Sequence, residues 1–474
     1  MNVVFATPPI TLEERYGDLA GAGSDAPSLG ILLLAAVARQ AGFDAAVLEA
    51  SALGLSQNET LERIGQHRPD ILALTSTTLS IFHAHSLADR AKARFPGLKV
   101  LIGGPHLSAA PRETMERFPA FDIAVQGEGE ATIAELLQVL KNATPLEAVQ
   151  GILFRDGEQL RETDRRPYIE DLDTLPFPAF DLLEGFPGRY APAPFKTRQL
   201  PAASLVTSRG CPNECIFCDR SIFGSHCHAH STEYVVDMIR KLHDEYGVRE
   251  FSFEDDTFVT FKKRLREVCE RLIELDLGIS WSCLGRVDHV TSENLALMKK
   301  AGCWQISFGI ESGDQQILNT IGKRVTLDQI RQAIAWTREA GIMAKGFFIV
   351  GHPGETRQTL RATLDFALEL PLNDISVTML TPFPGTELYD RADEFGTFDD
   401  DWAKLNLLNA VFVPRGLTRH DLEQAQRDLS RRFYLRPAVF ADYLGRLARN
   451  PAMAGALWRG FRSFLKSVGG GRGG

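Results

Sequence analysis

Residues 207–219 read TSRGCPNECIFCD and place Cys211, Cys215 and Cys218 in CxxxCxxC spacing directly after a short apolar run, SLVTS, at 204–208. Such a run followed by Gly and Pro reads as a strand that opens into a loop. Three thiolates on one loop cannot close a four-coordinate site. A 4Fe-4S cluster held by three Cys keeps one iron without a protein ligand, and a small chelating molecule can bind there. Structural zinc is the alternative, with Cys227 or one of His226, His228 and His230 in GSHCHAH (224–230) as fourth ligand. That spacing fits no common zinc finger, whereas the strand-to-loop setting fits the cluster.

Working outward, five further strands are predicted downstream: EFSFED (250–255), ISWSCLG (279–285), WQISFGIES (304–312), AKGFFIVG (344–351) and DISVTML (374–380). Helical segments lie between them, so six βα-like units predict an incomplete (β/α)6 barrel of the TIM type, with its chemistry at the carboxyl ends of the strands. Polar residues gather at those ends: Glu254, Asp255 and Asp256, then Arg286, then Glu311 and Ser312. A helix N-cap is the plain alternative for each acid, and a surface salt bridge for Arg286. Upstream, VVFA (3–6), DAAVLEA (44–50), DILALTST (70–77), KVLIGG (99–104) and FDIAVQG (121–127) alternate with helical stretches. That order predicts a parallel, Rossmann-like sheet with helices on both faces and a ligand outside the carboxyl ends of its strands. The Pro- and acid-rich stretch that follows reads as a linker, and the chain turns helical and basic after Pro384. The division expected is 1–145, linker 146–200, barrel 201–385 and helical extension 386–474.

The 474 residues are 44% apolar and 24% charged, an ordinary globular composition that excludes collagen-like and disordered chains. Seven Cys are too few for a disulfide scaffold, and three fall within eight residues, which predicts a reducing, cytoplasmic setting. Cys269, Cys283 and Cys303 read as small buried apolar groups. No signal peptide or membrane-spanning stretch is expected. The net charge is −9, although residues 427–474 carry ten Lys/Arg against Asp428 and Asp442. An acidic body disfavours nucleic acid. The segment Ala456 to Lys466, ALWRGFRSFLK, has the composition of an amphipathic helix on an anionic membrane surface, or of a docked terminal helix with a solvated basic face.

In the first half, Gly103 and Gly104 of VLIGGPH, and Gly127 and Gly129 around Glu128 in VQGEGE, follow strands where a backbone must approach a ligand closely. Generic tight turns have the same look. The turn after the first strand, ATPPITLEERYGDLAGAG, lacks GxGxxG, which argues against nicotinamide or flavin.

The cysteine loop, with Phe217 as the aromatic residue of CxxxCxΦC, resembles the radical S-adenosylmethionine (SAM) superfamily. The resemblance implies that SAM chelates the open iron, that one electron from a donor such as flavodoxin or ferredoxin cleaves it, and that a 5′-deoxyadenosyl radical abstracts hydrogen. It places Glu254, Asp255 and Asp256 near the SAM ammonium, Arg286 at its carboxylate, Glu311 and Ser312 at the ribose, and Gly351 in GFFIVGHPGET beside the adenine. The amino-terminal half resembles the cobalamin-binding domain fused ahead of such barrels, in which an early PP, APSLGILLLAAV, GGPH and GEGE recur. That resemblance covers roughly residues 1–385 and implies that the Gly-rich turns and Thr75, Ser76 and Thr77 line the corrin. The DxHxxG histidine of cobalt-ligating domains has no counterpart, since the first His is His67, so cobalt without a lower histidine ligand is expected and His106 is read as structural. GSHCHAH also departs from relatives.

The function implied is a cobalamin-dependent radical SAM methyltransferase that acts on an unactivated carbon or phosphinate-like centre of a small molecule: a lipid, a tetrapyrrole or a natural product. A non-methylating tetrapyrrole oxidative cyclase is the alternative within this architecture, and a corrin or cluster sensor without turnover the alternative of another class.

Overall fold

Val3 to Ala6 is an apolar run without polar alternation, as a strand covered by helices on both faces must be. Side chains alternate across a strand. Val3 and Phe5 accordingly join the core on one side of the first sheet, and Val4 and Ala6 the core on the other. The computed structural model describes residues 1–437 except 194, 195 and 257, together with 439, 441, 442, 445, 455 and 458; of Ala22 it describes only the backbone. The basic segment Ala456 to Lys466 lies, apart from Trp458, outside the described residues.

The first sheet comprises β1 (Asn2–Thr7), β2 (Asp44–Glu49), β3 (Ile71–Thr75), β4 (Lys99–Gly103), β5 (Ile123–Val125), β6 (Ile152–Asp156) and β7 (Gln159–Glu162). Their order is β2-β1-β3-β4-β5-β6-β7. The first five are parallel, and the β6–β7 hairpin adds antiparallel strands at one edge. The stretch 146–200, read as a linker, therefore begins by extending this sheet. Strand order reverses between β1 and β3, which opens a crevice at their carboxyl ends.

The second sheet contains β8 (Ala202–Leu205), β11 (Glu250–Phe253), β12 (Ser280–Gly285), β13 (Cys303–Glu311), β14 (Met343–Val350) and β15 (Asp374–Met379), all parallel and in sequential order. Each of the six expected strands is present. Trp281, Phe251, Phe253, Phe308 and Phe348 fill its core, joined by the expected buried thiols Cys269, Cys283 and Cys303. Between β8 and β11, β9 (Ser208–Arg209) and β10 (His228–Ala229) form a small antiparallel ribbon.

After the barrel, β16 (Gly396–Phe398) and β17 (Phe412–Pro414) pair as an antiparallel ribbon. The helix Arg419–Tyr434 starts at a Thr418/Asp421 capping box, which satisfies two of its orphan backbone donors. It lays Leu422, Leu429 and Phe433 on the barrel core. The intervening Trp402, Leu405 and Val411 instead enter a core of the first domain, so the last part of the chain ties the two halves together. Among the described residues no helix is long and apolar enough to cross a membrane.

Candidate functional site

Residues 210–227 form a loop closed at its neck by β9 and β10, where Arg209 stands opposite His228. Gly210 enters the loop at φ +82°, and a Cβ there would run into the His226 carbonyl, so only Gly passes this neck. Cys215 is buried, Cys211 half-buried and Cys218 exposed, all as free thiols. The loop is pinned at its centre, where the Ile216 amide donates to the Ile321 carbonyl (3.1 Å) and the Ile216 carbonyl accepts from Leu388 (2.9 Å). Phe217 packs between the barrel core and a smaller apolar cluster, with its ring 6.0 Å from that of His352. Arg286 Nη1 lies 4.0 Å from the Cys215 sulfur. A hydrogen bond from Cys218, reinforced by the charges of Lys323 and Arg286, holds the Cys215 thiol below its ordinary range. The same pairing pushes the Cys218 thiol up. Three thiols on one loop beside two buried cations suit an anionic iron-sulfur cluster.

The polar strand ends surround this loop. Glu254 accepts from Lys196 Nζ at 2.9 Å and from Ser252 Oγ at 2.6 Å. Asp256 is exposed and accepts from the Gly210 amide at 3.1 Å. Both border a cavity of about 180 Å³ shared with Ser208, Arg209, Phe223 and Leu33. Asp255, expected beside the SAM ammonium with them, is turned away. It is fully buried and accepts from the Thr207 amide (2.7 Å), Thr207 Oγ1 (2.7 Å) and Ser208 Oγ (2.6 Å), which braces the strand that leads into the cysteine loop. Arg286 forks onto Asp288 at 3.0 and 3.1 Å and donates to the Lys323 carbonyl at 2.8 Å. Glu311, at φ +68°, forms a buried pair with Lys323 (2.8 Å), and Ser312 shares a hydrogen bond of 3.1 Å with Thr363. Gly351, at φ +99°, opens the turn after β14, and its amide donates to Glu355, whose carboxyl burial pushes up to about 8.

The first domain presents a different edge. Thr75 ends β3 in register with Gly103, and the Ser76 amide donates to the Gly103 carbonyl at 3.1 Å. At Gly104, φ +96°, a Cβ would sit 2.9 Å from the Ser76 carbonyl and closer still to Thr75 Oγ1. Ser76 Oγ is buried without a hydrogen-bond partner, and the Thr77 amide is capped by Ser80. Gly127, at φ +67°, donates its amide to Ser108 Oγ at 3.0 Å, while Gly129 packs beside Leu34. An orphaned buried hydroxyl and a cradle that a Cβ would close fit a bulky ligand such as a corrin laid on the β3–β4 edge. His106 is turned into the core: Nδ1 meets Thr78 Oγ1 at 3.0 Å, the ring stands edge-on to Trp402 at 4.3 Å, and burial holds it neutral, at about 4. His67 lies at the opposite edge of the sheet, where its carbonyl accepts from Asn2.

Glu128, expected to line the corrin, is spent elsewhere. It pairs with Arg209 (2.5 Å) and His228 (3.2 Å), and accepts from the Ile169 amide at 2.7 Å. GSHCHAH thus has a structural use: His228 reaches Glu128, while His230 reaches Asp173 at 3.2 Å and stacks on Tyr234 at 3.8 Å. Among the described residues no three His, Cys, Asp or Glu side chains form a group that could hold one metal ion.

Lys323, Arg209 and Gly385 escaped the reading of the sequence. Lys323 sits in the turn between two barrel helices and carries no pattern. Arg209 stands two residues before Cys211, and a charge at an otherwise apolar strand end was its signal. Gly385, at φ +84°, lies where a Cβ would approach Ala109 to 2.8 Å and Asp219 to 2.9 Å, so the post-barrel turn, the cysteine loop and the first domain meet there.

Residues 205–367 match the radical SAM superfamily and residues 17–137 the B12 binding domain. The chain is 34% identical over 419 residues to an uncharacterised methyltransferase of Pyrococcus horikoshii, a match that covers 88% of this chain and 90% of that one. It is 30% identical over 476 residues to the anaerobic magnesium-protoporphyrin IX monomethyl ester cyclase of Cereibacter sphaeroides, with 98% and 75% covered. The fold is similar to that of the radical SAM methyltransferase TsrM of Kitasatospora setae, solved with tryptophan and a SAM analogue, at a TM-score of 0.71 and 16% identity over 92% of this chain and 89% of that one.

Proposed function

This chain belongs to the cobalamin-binding radical SAM enzymes, and from that premise we propose that it is a methyltransferase acting on an unactivated carbon of a small molecule. Its cofactors are a 4Fe-4S cluster, SAM and cobalamin. When bound, the cluster supplies one electron to SAM and the corrin carries a methyl group. In our reading Cys211, Cys215 and Cys218 hold the cluster. Glu254 and Asp256 orient the SAM ammonium and Arg286 its carboxylate, and Glu311, Ser312, Gly351 and Phe217 frame its ribose and adenine. Thr75, Ser76, Thr77, Gly103, Gly104, Gly127 and Gly129 line the corrin. Asp255 and Glu128 brace the site from behind. A flavodoxin or ferredoxin of the cytoplasm provides the electron.

The observation that carries this reading is the meeting at Gly385, which brings the cysteine loop against the helix that follows the Gly103–Gly104 turn. Methyl donor and acceptor must share one closed space, and a cysteine loop packed against the first domain supports that reading. The test is the ratio of S-adenosylhomocysteine to 5′-deoxyadenosine during turnover: roughly equal amounts support methyl transfer. Deoxyadenosine alone would instead support the cyclase-like reading, which the relative matched over 98% of this chain favours.

A further inference from the structure

The neck of the cysteine loop is held by the first domain through buried charge. Arg209, on β9, donates from one guanidinium nitrogen to Glu128 and from the other to Glu130, each at 2.5 Å. His228, its partner across the neck, reaches the same oxygen of Glu128 at 3.2 Å. The four side chains are only 3 to 8% exposed. Both acids come from the GEGE turn, so a single turn of the first domain grips both strands of the neck. Arg209 also covers the ring of Phe223, inside the loop, at 5.3 Å.

Surface ion pairs contribute little and tolerate disorder. A desolvated pair is different: it costs much to bury, gains only when its geometry is kept, and serves best as a device of registry. Here the guanidinium fork spans two carboxylates, a geometry that a flexible ammonium cannot copy. Any displacement of the GEGE turn therefore pulls on the two residues that close the cysteine loop, and any reordering of that loop pulls on Gly127 and Gly129.

We propose that Glu128, Glu130, Arg209 and His228 form a positioning clamp that makes cobalamin binding and cluster assembly mutually favourable. The proposal rests on the reading of Gly127–Gly129 as a corrin-side turn. Coupling between sites is reciprocal, and 5- to 150-fold is the usual range. We expect the protein with its cluster assembled anaerobically to bind hydroxocobalamin about tenfold more tightly than the same protein stripped of iron, measured by equilibrium dialysis with cobalt counted.

Arg209→Lys keeps a cation in the buried site and loses the fork. It should bring that ratio close to one, while the affinity of the stripped protein stays as in the wild type. Glu130→Gln, which removes one arm only, should lower the ratio partway, and it decides the matter if the lysine variant does not melt as a folded protein. A wild-type ratio of one, or an undiminished ratio in both variants, overturns the clamp while leaving the enzyme reading intact. Failure of both forms to take up cobalamin overturns the corrin-side reading, and the clamp with it.

Discussion

The two proposed cofactor edges differ in how they use charge. Around the cysteine loop the polar groups are ionic and already matched: Arg286 with Asp288, Lys323 with Glu311, Lys196 with Glu254. Along the β3–β4 turns of the first domain the edge is glycine and hydroxyl, shaped by missing Cβ atoms and with a buried hydroxyl left unsatisfied. A small multiply charged molecule such as SAM is selected by paired, charge-assisted bonds, whereas a broad corrin face is selected by shape. Charge removal should therefore damage one edge, and added volume the other.

The largest effect is expected where charge is removed from the iron site. Cys215→Ala deletes the thiolate that Lys323 and Arg286 stabilise, and SAM cleavage should fall by at least about a thousandfold, the scale of losing an essential catalytic group. Iron per chain should collapse, while cobalamin is still taken up, weakened by no more than the coupling proposed above. Full retention of iron would break the contrast, because it would place the cluster on other ligands.

Added volume gives the next largest effect. Gly104→Ala places a Cβ against Thr75 Oγ1 at a backbone angle that L-residues avoid, at a cost of about 1–3 kcal/mol. Cobalamin should bind on the order of thirtyfold more weakly, as 2 kcal/mol implies. Reductive SAM cleavage should continue, so that deoxyadenosine outgrows S-adenosylhomocysteine. Unchanged cobalamin affinity would show that the corrin does not lie on this turn.

Much of this arrangement was legible in the sequence, because parallel strands buried on both faces leave uninterrupted apolar runs and their polar ends stand out. Eleven strands and the cysteine loop could be read in that way. Asp255 and Glu128 could not be placed, since an acid at a strand end looks the same whether it faces a ligand or a neighbouring backbone amide. What separates them is a partner distant in sequence: Thr207 for Asp255, Arg209 for Glu128. The same holds for the post-barrel segment, whose Trp402 packs on the first domain rather than on the nearer barrel.

The neutral character of the β3–β4 turns extends to the deeply buried acid on the strand beside β1. Glu49, at the end of β2, accepts from the Ser28 amide at 2.7 Å and from Thr7 Oγ1 at 3.1 Å. Burial nonetheless outweighs those bonds and pushes its carboxyl up to about 7. A carboxyl raised on folding binds a proton more tightly in the native state, so its contribution is complete below about 4.5 and is lost as pH rises through 7. Glu49→Gln should remove that dependence: urea midpoints of the variant should stay level between pH 5 and 8 relative to a wild type that loses about 2–3 kcal/mol over the same span. If the wild type instead holds level with the variant across that interval, Glu49 is charged in the folded protein, and the first edge is not the neutral counterpart of the second.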